Sequence, residues 1–254
     1  MPPLSARGLG KVFGAEDGKP VEVISSVSFN LGEGEIVSIV GPSGCGKTTL
    51  LNLICGLLPP TAGTVLWHGR ELAGVPPRVG YMLQKDLLLP WRTAVQNVML
   101  GLEVRQVGAR ERLARAHSLL SQLELTAFAD YYPSALSGGM RQRVALARTL
   151  APDPKVLLLD EPFSALDFQT KILIERDTAR LIRSENRSLL LITHDIEEAV
   201  SLSDRVIVLS HRPCTVVTEH LIELPGDRTD MMAIRERPEF ARYVRAIWNE
   251  LDIR

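Results

Sequence analysis

The hydrophobic positions of this chain switch repeatedly between a strand period and a helix period. Val12, Phe13, Val21, Val23, Ile24, Val27 and Phe29 predict short strands, broken by a polar, Gly-rich turn at 14–20. Glu35–Val40 is a continuous apolar strand, and Leu50, Leu51, Leu53, Ile54 and Leu57 mark a buried helix. Pro59-Pro60-Thr-Ala-Gly63 stops that helix, and a strand begins at Thr64–Trp67. From about Asp86 to Leu150 the period becomes helical. Thr93 with Gln96 predicts a capping box ahead of Val95, Val98 and Leu102. Leu113, Ala116, Leu120 and Leu123 form a second stripe, and Ser137 opens a helix carrying Val144, Ala147 and Ala151. Apolar strands return at Val156–Leu159, Leu189–Ile192 and Val206–Leu209.

Apolar strands alternating with helices indicate a parallel sheet covered on both faces. The expected fold is α/β, with an antiparallel β subdomain at the N-terminus and a helical subdomain inserted at about 86–150. We expect one domain over 4–225 and a helical extension over 226–254. In that extension Pro238 can open a helix, with Phe240, Val244, Ile247 and Leu251 on one face. A helix docked on its own domain accounts for this stripe, and so does a partner-binding helix.

Composition narrows the class. The chain has 254 residues, of which 45% are apolar and 23% charged, and a formal net charge of −1. Those fractions suit a globular protein with ample core, and the balanced charge offers no broad footprint for nucleic acid. Cys45, Cys55 and Cys214 are too few and too scattered for a disulfide framework, and no metal spacing is present. The first residues lack the apolar core of a signal peptide. No apolar run approaches the ~20 residues of a membrane span, so a membrane role would need other chains.

The chemistry begins at Gly41-Pro-Ser-Gly-Cys-Gly-Lys-Thr-Thr49, which matches the phosphate-loop pattern between a strand and a helix. Gly41, Gly44 and Gly46 permit unusual torsions. The backbone N–H groups of Pro42's successors Ser43 to Thr49, at a helix N-terminus, favour phosphate. Lys47 can reach the terminal phosphates and Thr48 can ligate Mg²⁺. Cys45 is a variable loop position whose alkylation would obstruct phosphate. Val156-Leu-Leu-Leu-Asp160-Glu161 places Asp160 at the carboxyl end of a strand, where α/β sheets bind ligands. Side chains alternate along a strand, so Asp160 and Glu161 should act separately. Asp195 with Glu198 reads as an N-cap pair.

Leu136-Ser-Gly-Gly-Met-Arg-Gln-Arg143, just upstream of that strand, resembles the signature of ABC-type ATPases. The resemblance covers nearly the whole chain. It implies ATP and Mg²⁺ as cofactors, with Asp160 holding the metal shell and Glu161 acting on the attacking water. Gln84 would contact metal and water, and His194 would lie near the γ-phosphate. Phe13 would stack on adenine, although a core role is an alternative for it. Ser164-Ala-Leu-Asp167 resembles the segment that crosses between two copies; Asp167 could also be a plain helix cap. Ser137, Gly138 and Gly139 would present an uncovered helix N-terminus to ATP held by a second copy. Met140 replaces the commoner glutamine, a change that backbone contacts tolerate.

Ser-Gly-Gly-Met-Arg-Gln-Arg, Leu88-Leu-Pro-Trp-Arg-Thr93 and the tail's Pro238-Glu-Phe and Ile247-Trp248 are similar to importers of nitrate, sulfonate, taurine and bicarbonate type. The resemblance therefore implies an ATPase subunit of an importer of a small anion, sulfonate or related molecule. It would work as a homodimer or beside a similar subunit, on integral membrane permease subunits and indirectly with an extracytoplasmic substrate-binding protein. It would sit peripherally on the cytoplasmic face of the inner membrane, with no nucleic acid expected. The alternatives are an exporter's ATPase subunit and a soluble ABC ATPase acting on nucleic acid. Against the last, no long coiled coil interrupts 86–150.

Overall fold

The protein is described from a computed structural model that covers residues 1–14, 18–164 and 166–251. Part of the turn expected at 14–20, Ala165 and the last three residues of the tail lie outside the described residues.

A ten-stranded sheet carries the fold. Its parallel half is built around β3 (Ile36–Val40), which lies between β8 (Ser188–Ile192) and β9 (Arg205–Leu209). Beyond β8 come β7 (Val156–Asp160) and the short β6 (Val79–Met82), all parallel. Every residue of β3, β7 and β8 is buried, as continuous apolar strands require. Alternate side chains serve opposite faces. Val37, Ile39, Leu158 and Leu190 pack with Leu50, Leu51 and Ile54 of α1 (Lys47–Ile54). Ile36, Leu157, Leu159 and Leu191 face the helices on the other side.

The other half is antiparallel apart from one short pairing. β10 (Cys214–Leu221) turns back along β9 and meets β2 (Val21–Leu31) in a brief parallel contact. β1 (Leu4–Phe13) pairs antiparallel with β2 and with β4 (Ala62–Trp67), and β5 (Arg70–Glu71) forms the edge. β1 and β2 are longer than their apolar pattern suggests. Register shifts between Ala6 and Leu9, around Gly8 at φ +55°, break the alternation that would reveal β1. β6, β10 and β5 were not expected from the pattern; β6 is four residues with a glycine inside.

Three long helices fill the stretch between β6 and β7: α2 (Ala94–Val104), α3 (Ala109–Gln122) and α4 (Gly138–Leu150). Thr93 and Gln96 form both arms of the capping box, at 3.4 and 3.0 Å. The buried stripe of α3 runs through Ala116, Leu119 and Leu120, with Leu123 just beyond the helix end. Leu113, expected on that stripe, is exposed, because the packed face turns toward α2 and α4 through Leu119 instead.

α5 (Phe168–Ser184) starts at an Asp167 cap, and α6 (Ile196–Leu202) at Asp195, which accepts from Glu198 N at 3.1 Å. Glu198 does not complete a capping box. Its buried carboxylate meets Lys171 Nζ at 2.6 Å instead, and Lys171 also binds Asp195 at 2.7 Å. In the tail, α7 (Met231–Arg235) and α8 (Pro238–Glu250) bring Ile234, Phe240, Ile247 and Leu251 onto Val40, Ile196 and Val206. Arg235 reaches the fully buried Glu175 of α5 at 2.9 Å. Tail, α5 and α6 thus share one charge network.

Candidate phosphate site

The loop from Gly41 to Thr49 leaves the buried end of β3 and enters α1, so its N–H groups converge at a helix N-terminus. Gly46 is at φ +121°, and a Cβ there would lie 2.9 Å from Val23 Cγ1, so both torsion and space demand glycine. Lys47 is only 7% exposed, and its ammonium donates to the Gly41 and Pro42 carbonyl oxygens at 2.8 and 3.0 Å. Thr48 Oγ1, in the first turn of α1, donates to Asp160 Oδ2 at the end of β7 at 2.9 Å. Burial raises the Asp160 carboxyl above its ordinary value. The Thr48 hydrogen bond opposes this, nearby Glu161 adds to it, and Lys47 pulls it down.

Three polar side chains arrive from the ends of neighbouring parallel strands. Gln84 follows β6, Glu161 follows β7 and His194 follows β8. Glu161 Oε2 accepts from Gln84 Nε2 at 2.9 Å and lies 3.2 Å from His194 Nδ1. Glu161 is at φ +48°, unusual for a residue with a side chain, and its N–H is held by Ile192 O at 2.8 Å. This left-handed step, rather than strand alternation, separates Glu161 from Asp160.

A cleft of about 450 Å³ is lined by Ser43, Gly44, Gly46, Lys47, Thr48, Thr49, Gln84, Glu161, His194 and Arg212. The structure therefore brings most of the expected residues together. Gly41, Pro42 and Cys45 belong to the loop but do not line the cleft. Cys45 is 1% exposed and turns inward to Cys214, which is fully buried on β10. Its interaction with the Cys214 thiol pushes Cys45 below the ordinary thiol value, with Lys47 helping against burial. The same interaction, together with burial, raises Cys214. Phe13 ends β1 at 37% exposure, with Lys11 Nζ 5.1 Å from its ring centroid, and does not line the cleft.

Ser137, Gly138 and Gly139 also lie outside the cleft. Ser137 is exposed and caps α4 by accepting from Met140 N at 3.2 Å. A Cβ on Gly139 would lie 3.0 Å from Leu166 Cδ2 and 3.4 Å from Thr170 Cγ2. The start of α4 therefore packs closely on the segment that opens α5.

Arg212 is the lining residue that the sequence reading missed. A signal was available: it sits just beyond the apolar strand Val206–Leu209, at the carboxyl end of a parallel strand, where α/β sheets place ligands.

The comparisons fit this geometry. The family model described as ABC transporter matches residues 24–164. The nitrate import ATP-binding protein NrtD of Synechocystis sp. is 43% identical over 94% of this chain and 91% of its own. The taurine import ATP-binding protein TauB of Burkholderia pseudomallei is 38% identical over 99% and 97%. Among solved structures, the dimeric ATP-binding cassette MJ0796, in a post-hydrolysis state bound to ADP and Pi, superposes with a TM-score of 0.79. It is 33% identical and covers 87% of this chain and 99% of its own. With the phosphate loop, the strand-end carboxylates and the cassette fold all in place, the chain belongs to the ABC transporter family, and it is an ATPase of that type.

Proposed function

We propose that this chain is the ATP-hydrolysing subunit of a multi-subunit importer for a small anion, sulfonate or related molecule. The observation that carries the reading is the split between two surfaces. The cleft holds Lys47, Thr48, Gln84, Glu161 and His194, while the exposed N-terminus of α4 lies away from it. Each cleft would be completed by Ser137, Gly138 and Gly139 of a second copy in a head-to-tail pair. The helix dipole then supports the γ-phosphate. The dimeric state of the MJ0796 cassette supports this pairing.

In this reading Gly41–Thr49 wraps the phosphates with backbone N–H groups, and Lys47 moves from its loop carbonyls to the terminal phosphates. Phe13 stacks on adenine. Thr48, Gln84 and Asp160 are hard oxygen donors suited to Mg²⁺, whose bound charge would offset that of the phosphates. Among the described residues no cluster of three or more His, Cys, Asp or Glu could cage a metal. This accords with an ion held mostly by substrate oxygens. Glu161 orients and deprotonates the attacking water, Gln84 holds the carboxylate in place, and His194 polarises the γ-phosphate.

Among the described residues no helix is long and apolar enough to cross a membrane. Leu87 and Trp91, the latter 70% exposed, follow Gln84 directly and offer an apolar surface to a membrane subunit's cytoplasmic loop. The chain would then lie peripherally on the cytoplasmic face of the inner membrane, with an extracytoplasmic binding protein delivering cargo. Relatives named for nitrate and for taurine import are 43% and 38% identical to this chain, which supports a reading in which cargo choice belongs to those other subunits.

The test is reconstitution of the chain with its membrane partner and binding protein in liposomes, with nitrate and taurine as probes. ATP-dependent accumulation on the ATPase side is expected. ATP-driven movement the other way would overturn the importer reading. So would purification of the chain with nucleic acid and no membrane subunit.

A further inference from the structure

The turn between β9 and β10 carries a cation with no assigned task. Arg212 Nη2 donates to the Gly44 carbonyl oxygen at 2.8 Å, and its side chain is exposed on the rim of the phosphate cleft. That carbonyl is the one partner the structure gives it among the described residues. A guanidinium has five N–H donors in a planar fork, so most of its capacity is uncommitted.

The turn itself is firmly held. Ser210 N donates to Thr215 O at 3.0 Å, and Thr215 N donates to Ser210 Oγ at 2.9 Å. Leu209, at its start, packs under Gly41: a Cβ on Gly41 would lie 3.1 Å from Leu209 Cβ. Cys214, at its end, is buried beside Cys45. The base of the turn therefore grips the phosphate loop at both ends, and Arg212 projects from a fixed platform.

A backbone carbonyl is a modest acceptor for a guanidinium; a phosphate oxygen is a stronger, charge-assisted one and matches its fork. Among the cleft's lining residues Lys47, which opens α1, is the other Lys or Arg, and its ammonium is held by the Gly41 and Pro42 carbonyls. We propose that Arg212 is a second phosphate-binding cation of the nucleotide site, gripping the polyphosphate chain of a nucleoside di- or triphosphate from the β9–β10 turn. The proposal rests on the cleft being the ATP site. It makes Arg212 a ligand of nucleotide rather than a structural latch on Gly44.

The test is calorimetric titration of the full chain with ATP and with ADP, for wild type, Arg212→Gln, Arg212→Lys and Lys47→Ala. The glutamine variant should bind both nucleotides about tenfold more weakly, the scale of one charge-assisted hydrogen bond. Its affinity should depend less on salt, and its ligand-free melting temperature should not change. Lysine, which keeps the charge, should recover part of the loss. Wild-type affinity in the glutamine variant would overturn the proposal. Weakened binding with a lowered ligand-free melting temperature and no rescue by lysine would also overturn it, leaving Arg212 as a latch. If wild type binds no ATP and Lys47→Ala changes nothing, the ATP-site reading falls along with this one.

Discussion

Replacing Glu161 with glutamine removes one negative charge and little else. The carboxamide keeps the shape, and its oxygen can still accept from Gln84 Nε2, now at 2.9 Å from the carboxylate. The left-handed backbone step stays tied by Glu161 N to Ile192 O at 2.8 Å. Stability should therefore change by less than ~1 kcal/mol, the scale of a change that opens no cavity and buries no charge. Asp160 loses a like charge that raises it, so it ionises more readily and nucleotide binding does not suffer. What disappears is the base. A positioned general base contributes about 10²–10⁴-fold, equivalent to about 3–5 kcal/mol of barrier. We expect ATP affinity within a few-fold of wild type, phosphate release at least about a hundredfold slower, and accumulation of a two-copy complex in ATP. The assay is phosphate release with the membrane partner present, alongside size-exclusion chromatography with and without ATP. Lys47→Ala serves as the background control. A residual rate within about tenfold of wild type would refute the base assignment, because ten-fold is below what a general base supplies.

Other positions give independent checks. Gly139→Ala puts a methyl 3.0 Å from Leu166 Cδ2 and partly covers the start of α4, so a purified monomer should bind ATP normally while hydrolysis by the pair falls steeply; normal hydrolysis would remove this glycine from the shared site. Burial pushes Glu175 up to about 8, with Arg235 and Lys171 pulling it down and Glu198 and Asp195 adding to the rise. Its folded value exceeds the unfolded one. Its contribution to stability is therefore complete below the ordinary carboxylate range and lost as pH rises through about 8. Urea midpoints of Glu175→Gln should vary less with pH over that window, and parallel curves would contradict the shift. Cys45 is acidified but buried, so a maleimide should label it far more slowly in the folded protein than in urea. Labelling at the free-thiol rate would show that the loop opens.

Much of this architecture is legible in the sequence, and the reason is periodicity. β3, β7 and β8 are buried on both faces and so read as unbroken apolar runs, and Thr93, Ser137 and Asp195 mark helix starts through their side-chain oxygens. The site was legible because phosphate chemistry needs glycines and a lysine at fixed spacing. Features created by long-range contact stayed hidden. β10 pairs with partners on both sides and alternates between half-buried and exposed from Val216 on, but its residue types do not follow: Val217 and Leu221 are exposed while Thr218 and His220 are half-buried. Leu113 is exposed because tertiary packing chose the Leu119 side of α3. The inward turn of Cys45 depends on Cys214, far away in sequence, so the loop pattern alone does not show it. Glu198 pairs with Lys171 for the same kind of reason.

The charge network under α6 bears on where the chain can be cut. Asp195, one residue after His194, is held by Lys171; Lys171 lies beside Glu175; and Glu175 takes its closest guanidinium from Arg235 in α7. A truncation at about 225, the boundary drawn from sequence, would not trim an ornament. It would strip the nearest cation from a fully buried carboxyl and expose Val40 and Ile196, which the tail now covers. The tail thus shares its packing and its ion pairs with the helix that follows His194, so the cut at about 225 passes through a core rather than beside one.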